Sequence, residues 1–274
     1  MPLYFTDKKR RWPPSKPVQY ILAVALLIIA VAVLVGWLFV RFIYAEPQPD
    51  STPTEDTADI SKEDLPDAGY CLIIVEDTGC ERFALVQSDP KNQKITVSAL
   101  SPNTQTGEGE LTELFKKRGP SHTAQVVAQT MNLSTVHYMS FSIADIETLF
   151  TRLGVNLQFT VPEDVTYKDT NGATVYLTAE SRKLTPSQIA SLLRYDQWEN
   201  NENGDNLAAD ITTAVINECL RTGKSLKGYF ELLANTSATD LRIDQFNAYL
   251  IGWEYLASIN QGTVAQRINI PAGN

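Results

Sequence analysis

The sequence predicts an α/β protein: a three-layer α/β/α sandwich around a central mixed sheet, preceded by one transmembrane helix. Two observations carry this prediction. From about residue 68 onward, short apolar runs alternate with amphipathic helical segments, as in domains whose helices cover a sheet. Ahead of them, Ile21–Val40 is an uncharged apolar run of twenty residues, which at about 1.5 Å per residue spans a hydrocarbon core.

The composition supports a folded domain and excludes several classes of protein. Of the 274 residues, 43% are hydrophobic and 20% are charged, so a core can form and global disorder is excluded. The net charge of −9 argues against nucleic acid as a partner, because phosphate binding needs a basic face. Two histidines and three cysteines leave little material for a zinc site or a disulfide scaffold.

Charge on either side of the apolar run predicts its orientation. Residues 1–17 carry a net charge of +4, whereas only Arg41 closely follows the run. The positive-inside rule therefore predicts a cytoplasmic arm over 1–17, a transmembrane helix over 18–44, and a cell-membrane protein whose C-terminal part is extracytoplasmic. A cleaved signal and a buried core helix are the alternatives, although the apolar part of a signal is shorter.

The segment after the span predicts an extended acidic stalk over 45–67. Ala45–Pro66 contains four prolines and seven acidic residues against one lysine, and it has little to bury. The alternative is a strand-poor part of the domain. The extracytoplasmic domain is then predicted to occupy 68–274.

The first part of the domain predicts a three-stranded meander followed by two helices. Short apolar runs that end in turn residues indicate the strands, and the turn at Asp89–Asn92 follows from the fixed φ of proline and the αL tolerance of asparagine. Apolar residues on one face between caps and breakers indicate the helices. The strands are Cys71–Val75, Arg82–Gln87 and Lys94–Leu100; the helices are Glu110–Arg118, ended by Gly119-Pro120, and Ser121–Met131, begun by a Ser121 cap.

Strands and helices then alternate. Gly154 ends one helix, and Pro186 takes the first position of another, where its missing N–H costs nothing. The predicted strands are Val136–Phe141, Leu157–Val161 and Thr174–Leu177, with a terminal extended piece, Val264–Ile270. The predicted helices are Ser142–Leu153, Thr185–Arg194, Leu207–Leu220, Leu226–Leu233 and Ile243–Leu256, and Asp196–Asp205 is a predicted polar loop.

The cysteines are predicted to be free, mostly buried thiols. Cys71 and Cys80 are the only close pair, and a tight hairpin puts them roughly 13 Å apart at about 3.3 Å per residue. A disulfide needs Cα atoms within about 7 Å.

His137 falls in a predicted strand and is interpreted as packed rather than catalytic. No phosphate-binding loop, dinucleotide-binding or serine-hydrolase motif occurs.

Several motifs follow one another in a fixed order: Val136-His-Tyr-Met-Ser-Phe141, a helix, Leu153-Gly-Val155, and Phe159-Thr-Val-Pro-Glu-Asp-Val165. This order resembles the LytR-CpsA-Psr family of bacterial envelope proteins. Upstream, Phe83–Thr104 is similar to the family's strand, turn and next strand, and Leu184–Arg194 is similar to its following helix. The resemblance extends over about residues 71–233, and the arrangement of one basic arm, one span and one external domain also matches.

The resemblance implies transfer of a glycopolymer from a polyprenyl-pyrophosphate carrier to peptidoglycan. The implied partners are therefore the membrane and a carrier-linked glycopolymer or peptidoglycan. A hydrophobic groove holds the lipid in such proteins, and arginines with a divalent metal, usually Mg²⁺, neutralise the two phosphates. The groove is expected along apolar residues that could alternatively only fill the core: Ile143, Ile146, Leu149, Phe150, Leu192 and Leu193.

The family's charged positions are only partly kept in this sequence. Glu81 stands where the family has an Asp, and Arg82 is shifted along the chain from the position of the family's Arg. Asn103 replaces another acidic residue by a neutral one, and the Arg that accompanies that acid in the family is absent. Arg194 matches one of two paired arginines at the end of a helix in the family. Asp205 matches the acid of a later motif, whose two arginines are replaced in this sequence. The resemblance thus implies Arg194 as the catalytic residue, Arg82, Arg182 and Asn103 as ligand-binding residues, and Glu81 and Asp205 as metal ligands.

These replacements predict a degenerate protein of this kind, with weak or absent transfer, and they weaken the expectation of Mg²⁺. Enzymatic activity stays open at this point. The alternative function is a non-catalytic envelope-binding or scaffold module. Arg194 has an alternative of its own, as a helix-end cation favoured by the helix dipole.

Overall fold

The computed structural model describes residues 62–77, 81–154, 156–168, 172–221, 226–259 and 265–268. The predicted arm, transmembrane helix and most of the stalk lie outside these residues, and no helix within them is long and apolar enough to cross a membrane. Leu65 is buried, and Pro66 Cγ lies 3.4 Å from the position that a Cβ would take on Gly252. The end of the predicted stalk therefore packs on the domain.

Strands and helices interleave through the described residues. The strands are β1 (Gly69–Glu76), β2 (Arg82–Asp89), β3 (Lys94–Leu100), β4 (Gln105–Thr106), β5 (Gly109–Glu110), β6 (His137–Ser142), β7 (Leu157–Thr160), β8 (Val165–Lys168), β9 (Thr174–Leu177), β10 (Ser181–Leu184), β11 (Ala238–Thr239) and β12 (Ala265–Ile268). The helices are α1 (Leu111–Thr130), α2 (Ile143–Leu153), α3 (Pro186–Arg194), α4 (Asn201–Arg221), α5 (Leu226–Thr236) and α6 (Ile243–Ile259).

A six-stranded mixed sheet forms the centre of the domain, in the order β11-β6-β1-β2-β3-β12. The meander of β1, β2 and β3 is antiparallel, as the sequence predicts. Strand β6 lies parallel to β1, and β12 lies parallel to β3, so each returns to the sheet after a helical connection. The predicted terminal extended piece is thus the edge strand β12.

Alternate residues of the sheet pack into two separate cores. Leu72 and Ile74 of β1 face one core with buried residues of α1, whereas Cys71 and Val75 face a second core. The second core takes buried side chains from α2, α3, α4, α5 and α6. Helices therefore cover both faces of the sheet, which confirms the predicted α/β/α arrangement.

Local capping explains why the predicted boundaries of α2 and α3 are accurate. Ser142 and Asp145 form a reciprocal capping box at the start of α2, and Gly154 ends that helix at φ 61°. Thr185 and Gln188 form the same motif at the start of α3. A cap of this kind contributes about 1 kcal/mol to helix stability.

Several predicted boundaries differ from the structure. Helix α1 is kinked at Gly119, whose φ of 76° is non-helical, and the second part starts at Pro120 rather than from a Ser121 cap. Helix α4 starts at Asn201, inside the predicted polar loop, and α5 and α6 each end three residues later than predicted. At the start of α4, Asn200 Oδ1 accepts from the backbone N–H of Glu202 as a cap, and the Glu163 carboxylate accepts from the backbone N–H groups of Glu199 and Asn200.

Five short strands were not predicted: β4, β5, β8, β10 and β11. Strand β8 pairs with β9, and β10 pairs with β7, in two small antiparallel sheets. Strands β8 and β10 each have one buried apolar residue among exposed or half-buried ones, so neither has an apolar run to signal it. Their pairing comes from the backbone of the neighbouring strand.

Candidate functional site

An apolar cavity of about 140 Å³ lies between the sheet and the helices of the second core. Strands β1 and β6 form its floor, and α2, α4 and α5 contribute its walls. Of the residues predicted for a lipid groove, Ile146, Leu149, Phe150 and Leu193 line this cavity. Ile143 and Leu192 are buried, but the described lining does not include them.

The cavity has an energetic consequence. Its lining surface is almost wholly apolar, so a hydrocarbon that binds there leaves water and gains on the order of 25 cal/mol per Å² of apolar surface buried. An apolar ligand in the cavity therefore stabilises the folded domain.

Arg82 fixes the end of α3 beside this cavity. Its Nε donates to the carbonyl of Leu193 at 2.8 Å, and its two terminal nitrogens donate to the carbonyls of Tyr195 and Gly204. The side chain is only 4% exposed. A Cβ on Gly204 would lie 3.2 Å from Arg82 Nη1, so glycine there permits the approach. Arg82 is thus buried and hydrogen-bonded to three backbone carbonyls, and its predicted ligand-binding role stays a prediction.

Arg194 stands at the surface, one residue beyond Leu193 of the cavity wall. Its side chain is 56% exposed, and its Nε lies 3.3 Å from Asp77 Oδ2, just after β1. Arg194 also lines a polar groove of about 570 Å³ between the β8–β9 hairpin and the end of α3. The last turn of α3 therefore contributes to both the apolar cavity and the polar groove.

The two predicted metal ligands, Glu81 and Asp205, have different surroundings, and their role stays a prediction. Glu81 is buried, and its Oε2 lies 3.4 Å from Lys116 Nζ, so an ammonium group already neutralises it. Asp205 is half-buried near the start of α4. Within the described residues there is no group of three or more His, Cys, Asp or Glu that could hold a metal. Mg²⁺ sites rely on carboxylate oxygens and water, and the pairing of Glu81 with lysine opposes that use.

Asn103 and Arg182 lie apart from the cavity and the groove, whose described linings include neither. The backbone N–H of Asn103 donates to Ser101 Oγ at 3.3 Å within an exposed turn. Arg182 lies on β10, where its Nη1 is 3.8 Å from Glu180 Oε1. Arg194 is the predicted ligand contact that the structure places beside a groove.

The acids of the Val-Pro-Glu-Asp motif accept hydrogen bonds from backbone and side-chain groups of the domain. Burial acts to raise the pKa of Glu163, but its hydrogen bonds from Glu199, Asn203 and Asn200 outweigh this and lower the pKa overall. The hydroxyl of Tyr176 donates to Asp164 at 2.6 Å, and this bond is the largest cause of a lowered Asp164 pKa. The motif thus secures α4 and β9.

Sequence reasoning missed the tyrosines of the groove, Tyr167 on β8 and Tyr195 after α3. They are separated by more than twenty positions and come from a hairpin and a loop, so no spacing signals that they meet. The hydrogen bonds of Arg82 were missed for the same reason, since they join β2 to carbonyls more than a hundred residues later.

The fold and the site define an α/β/α domain with an apolar cavity on one face of its sheet and a charged helix end beside it. TagV from B. subtilis has this fold, with a TM-score of 0.61 and 14% identity over 74% of this chain and 84% of its own. TagT bound to LI-WTA gives a TM-score of 0.54 and 14% identity over 74% and 79%. A protein of Eubacterium siraeum described as a candidate transcription regulator gives 0.65 and 17% over 75% and 84%.

These similarities confirm the predicted structural resemblance to LytR-CpsA-Psr proteins. At 14–17% identity they establish the fold. The sequence matches no protein-family model and no curated protein.

Proposed function

We propose that this chain is a single-pass envelope protein whose extracytoplasmic domain binds a polyprenyl-pyrophosphate-linked glycopolymer and transfers it weakly or not at all. The apolar cavity carries the proposal, because its lining suits a hydrocarbon chain and Leu193 of its wall precedes the cationic Arg194. In this arrangement the lipid enters the cavity and the pyrophosphate lies at the end of α3. The TagT structure with LI-WTA supports the proposal, since TagT has the same fold.

The charges around α3 are suited to binding an anion at Arg194. The C-terminal end of a helix carries partial negative charge, which repels phosphate. Here the guanidinium of Arg82 donates to the carbonyls of Leu193 and Tyr195, and this offsets the repulsion. Arg194 can then donate charge-assisted hydrogen bonds to phosphate oxygens.

Turnover needs more positive charge than binding does. Phosphoryl transfer is catalysed by cations that stabilise charge developing on the phosphate oxygens. Arg194 is already paired with Asp77, and Asp196 lines the groove beside it. Glu81 is neutralised by Lys116. These pairings favour the non-catalytic alternative, an envelope-binding or scaffold module, over efficient transfer.

The proposal is tested by binding undecaprenyl pyrophosphate to the full-length protein in lipid nanodiscs. Val215 lines the cavity from α4, so Val215→Trp fills it, whereas the neighbouring Ala214 is half-buried outside the described lining. We expect Val215→Trp to weaken binding by about tenfold or more, which is about 1.4 kcal/mol, and Ala214→Trp to leave it within about twofold. No binding by the wild type, or equal binding by both variants, would contradict the proposal.

A further inference from the structure

Helix α6 carries most of the large apolar side chains that are exposed in the part of the chain that the structure describes. Four such side chains are exposed, and three of them lie on α6: Ile243 at 82%, Ile251 at 43% and Ile259 at 40%. Successive members of this set are eight residues apart, which at about 3.6 residues per turn advances roughly 80° around the helix axis. The three side chains therefore lie within one half of the helix circumference, which we call the outer side of α6.

The opposite side of α6 packs on the domain. Gly252 and Leu256 are buried, and Trp253 Nε1 donates to Ser88 Oγ on β2 at 3.1 Å. Tyr249 and Trp253 also line the apolar cavity. Because a helix with its side chains is about 10–12 Å across, the outer side of α6 lies one helix diameter from the cavity.

The chain that precedes the domain reaches it beside α6. Pro66 Cγ lies 3.4 Å from the position that a Cβ would take on Gly252, and Asp67 Oδ1 accepts from Lys91 Nζ at 2.6 Å. The predicted transmembrane helix over 18–44 comes before these residues, so in a single-pass protein the chain joins the membrane to the domain next to α6. A short flexible tether gives an effective concentration of about millimolar, so a small apolar surface is enough to hold the domain at the bilayer.

The charges on α6 favour apolar contact with lipid over ionic contact. The helix contains no Lys or Arg, and its exposed charged residues are Asp244 and Glu254. Anionic lipids attract clusters of Lys and Arg, and Arg242, which precedes the helix, already pairs with Asp244 at 2.9 Å. Tyr255 of the same helix is half-buried and adds an aromatic ring of the kind enriched at membrane–water interfaces. The outer side of α6 therefore suits the boundary of the hydrocarbon region.

We propose that the outer side of α6 docks on the lipid surface of the membrane. The inference rests on the single-pass anchor of the proposed function but not on its lipid ligand. It gives the domain a second membrane contact besides the anchor, and it brings the apolar cavity within one helix of the bilayer. A lipid carrier that leaves the bilayer then has a short path to that cavity.

Photolabelling of the full-length protein in phosphatidylcholine nanodiscs tests this proposal. The probe is a phosphatidylcholine with a diazirine near the ester end of one acyl chain, and mass spectrometry of the digested protein locates the carbene adducts. Helix α1 covers the other face of the sheet, so we expect α6 peptides to carry about fivefold or more the labelling of α1 peptides.

Ile243→Glu is the test variant, because the Ile243 side chain is mostly exposed and its replacement leaves the core untouched. Gln125→Glu is the matched control, since it adds the same charge at an exposed position of α1. A carboxylate resists burial in lipid, so we expect Ile243→Glu to lower α6 labelling about threefold or more and Gln125→Glu to change it less than about 1.5-fold. Phosphatidylglycerol at half of the lipid should change α6 labelling less than about twofold, because α6 has no cations to attract it.

Equal labelling of α6 and α1 would overturn the proposal, as would α6 labelling that Ile243→Glu leaves unchanged or that requires phosphatidylglycerol. Self-association that Ile243→Glu abolishes, without α6 labelling, would also overturn it, because a second copy would then cover the outer side. Lipid-carrier binding without α6 labelling removes this inference and keeps the proposed function. Absence of adducts in residues 18–44 would remove the single-pass anchor and this inference with it.

Discussion

Arg82 on β2 donates from Nε to the carbonyl of Leu193 at 2.8 Å, and through this bond the sheet holds the last turn of α3. The same guanidinium donates to Tyr195 and Gly204, so one buried side chain joins β2, α3 and α4. The carbonyls of Leu193 and Tyr195 lie at the C-terminal end of α3, where carbonyls are left without intrahelical partners. The position of Arg194 beside the groove therefore depends on a residue that does not itself face the groove.

Replacing Arg82 by alanine is expected to destabilise the domain. Three carbonyls lose a charge-assisted hydrogen bond from the guanidinium, which costs about 2–4 kcal/mol in the free energy of unfolding. Arg182→Ala is the matched control, because Arg182 is partly exposed and its ion pair with Glu180 is long at 3.8 Å; we expect it to cost less than about 0.5 kcal/mol. Urea unfolding of the full-length variants in detergent gives both values, and equal effects would contradict the positioning role.

Asp164 is expected to stabilise the fold above its titration range and to lose that effect in acid. Hydrogen bonds from Tyr176 and then from the Ala179 backbone lower the pKa of its carboxyl in the folded state. A lowered folded-state pKa contributes stability that is present above the ordinary aspartate pKa, near 3.9, and is lost as the pH falls through the folded-state value.

Asp164→Asn should therefore lower the melting temperature at pH 7, with the difference from wild type shrinking toward pH 3. Thermal unfolding of the two proteins across this range measures the effect. A difference that grows on acidification would show that the carboxylate does not act in this way.

Gly69 is expected to tolerate no side chain. A Cβ there would lie 2.8 Å from Tyr249 Cζ, a ring atom that packs from α6. Gly69→Ala should cost about 1–3 kcal/mol through overpacking. Gly107→Ala is the control, because nothing lies within 4 Å of its added Cβ. If the two substitutions have the same effect on the melting temperature, α6 does not pack against β1 as closely as described.

Cys71 is expected to resist alkylation in the native protein. Burial is the main cause that raises the pKa of its thiol, followed by the charge of Asp240, and the thiolate is the reactive form. Cys71 is a free thiol opposite Val86 in the β1–β2 register, while Cys80 lies outside the described residues. Iodoacetamide at pH 8 should label Cys71 only after unfolding, and peptide mapping without reduction should find no Cys71–Cys80 bridge.

The parts of the fold that follow from neighbouring residues could be predicted. The meander shows in apolar runs separated by turn residues, and α2 and α3 start where Ser142 and Thr185 cap them. The start of α4 was missed although Asn200 caps it locally, and part of what holds it is Glu163, which lies 36 residues before Glu199 and gives no local signal. Strands β8 and β10 lack an apolar run, so only their pairing reveals them.

Only part of the candidate site could be predicted, because the rest depends on contacts between residues far apart in the sequence. The family resemblance implied a groove along apolar residues of α2, and Ile146, Leu149 and Phe150 line the cavity. The displaced Arg82 and the polar groove depend on contacts between distant segments. A motif can identify Arg194, but the motif does not show that Arg82 holds the chain on both sides of it.

We propose that the cavity and Arg194 together bind a pyrophosphate-linked lipid with little turnover. It is tested most directly by undecaprenyl-pyrophosphate binding and Mg²⁺-supplemented polymer transfer, with wild type compared against Arg194→Ala. Arg152→Ala is the matched control, since Arg152 is an exposed cation in the last turn of α2. The comparison of the two variants distinguishes an arginine that contacts the anion from one that only stabilises the C-terminal end of a helix.

A charge-assisted hydrogen bond contributes about 1.5–3 kcal/mol, so we expect Arg194→Ala to weaken lipid binding roughly 10- to 100-fold. Arg152→Ala should leave binding unchanged, and transfer should be weak or absent in every protein. Unchanged binding in Arg194→Ala, or robust Mg²⁺-dependent transfer by the wild type, would contradict the account.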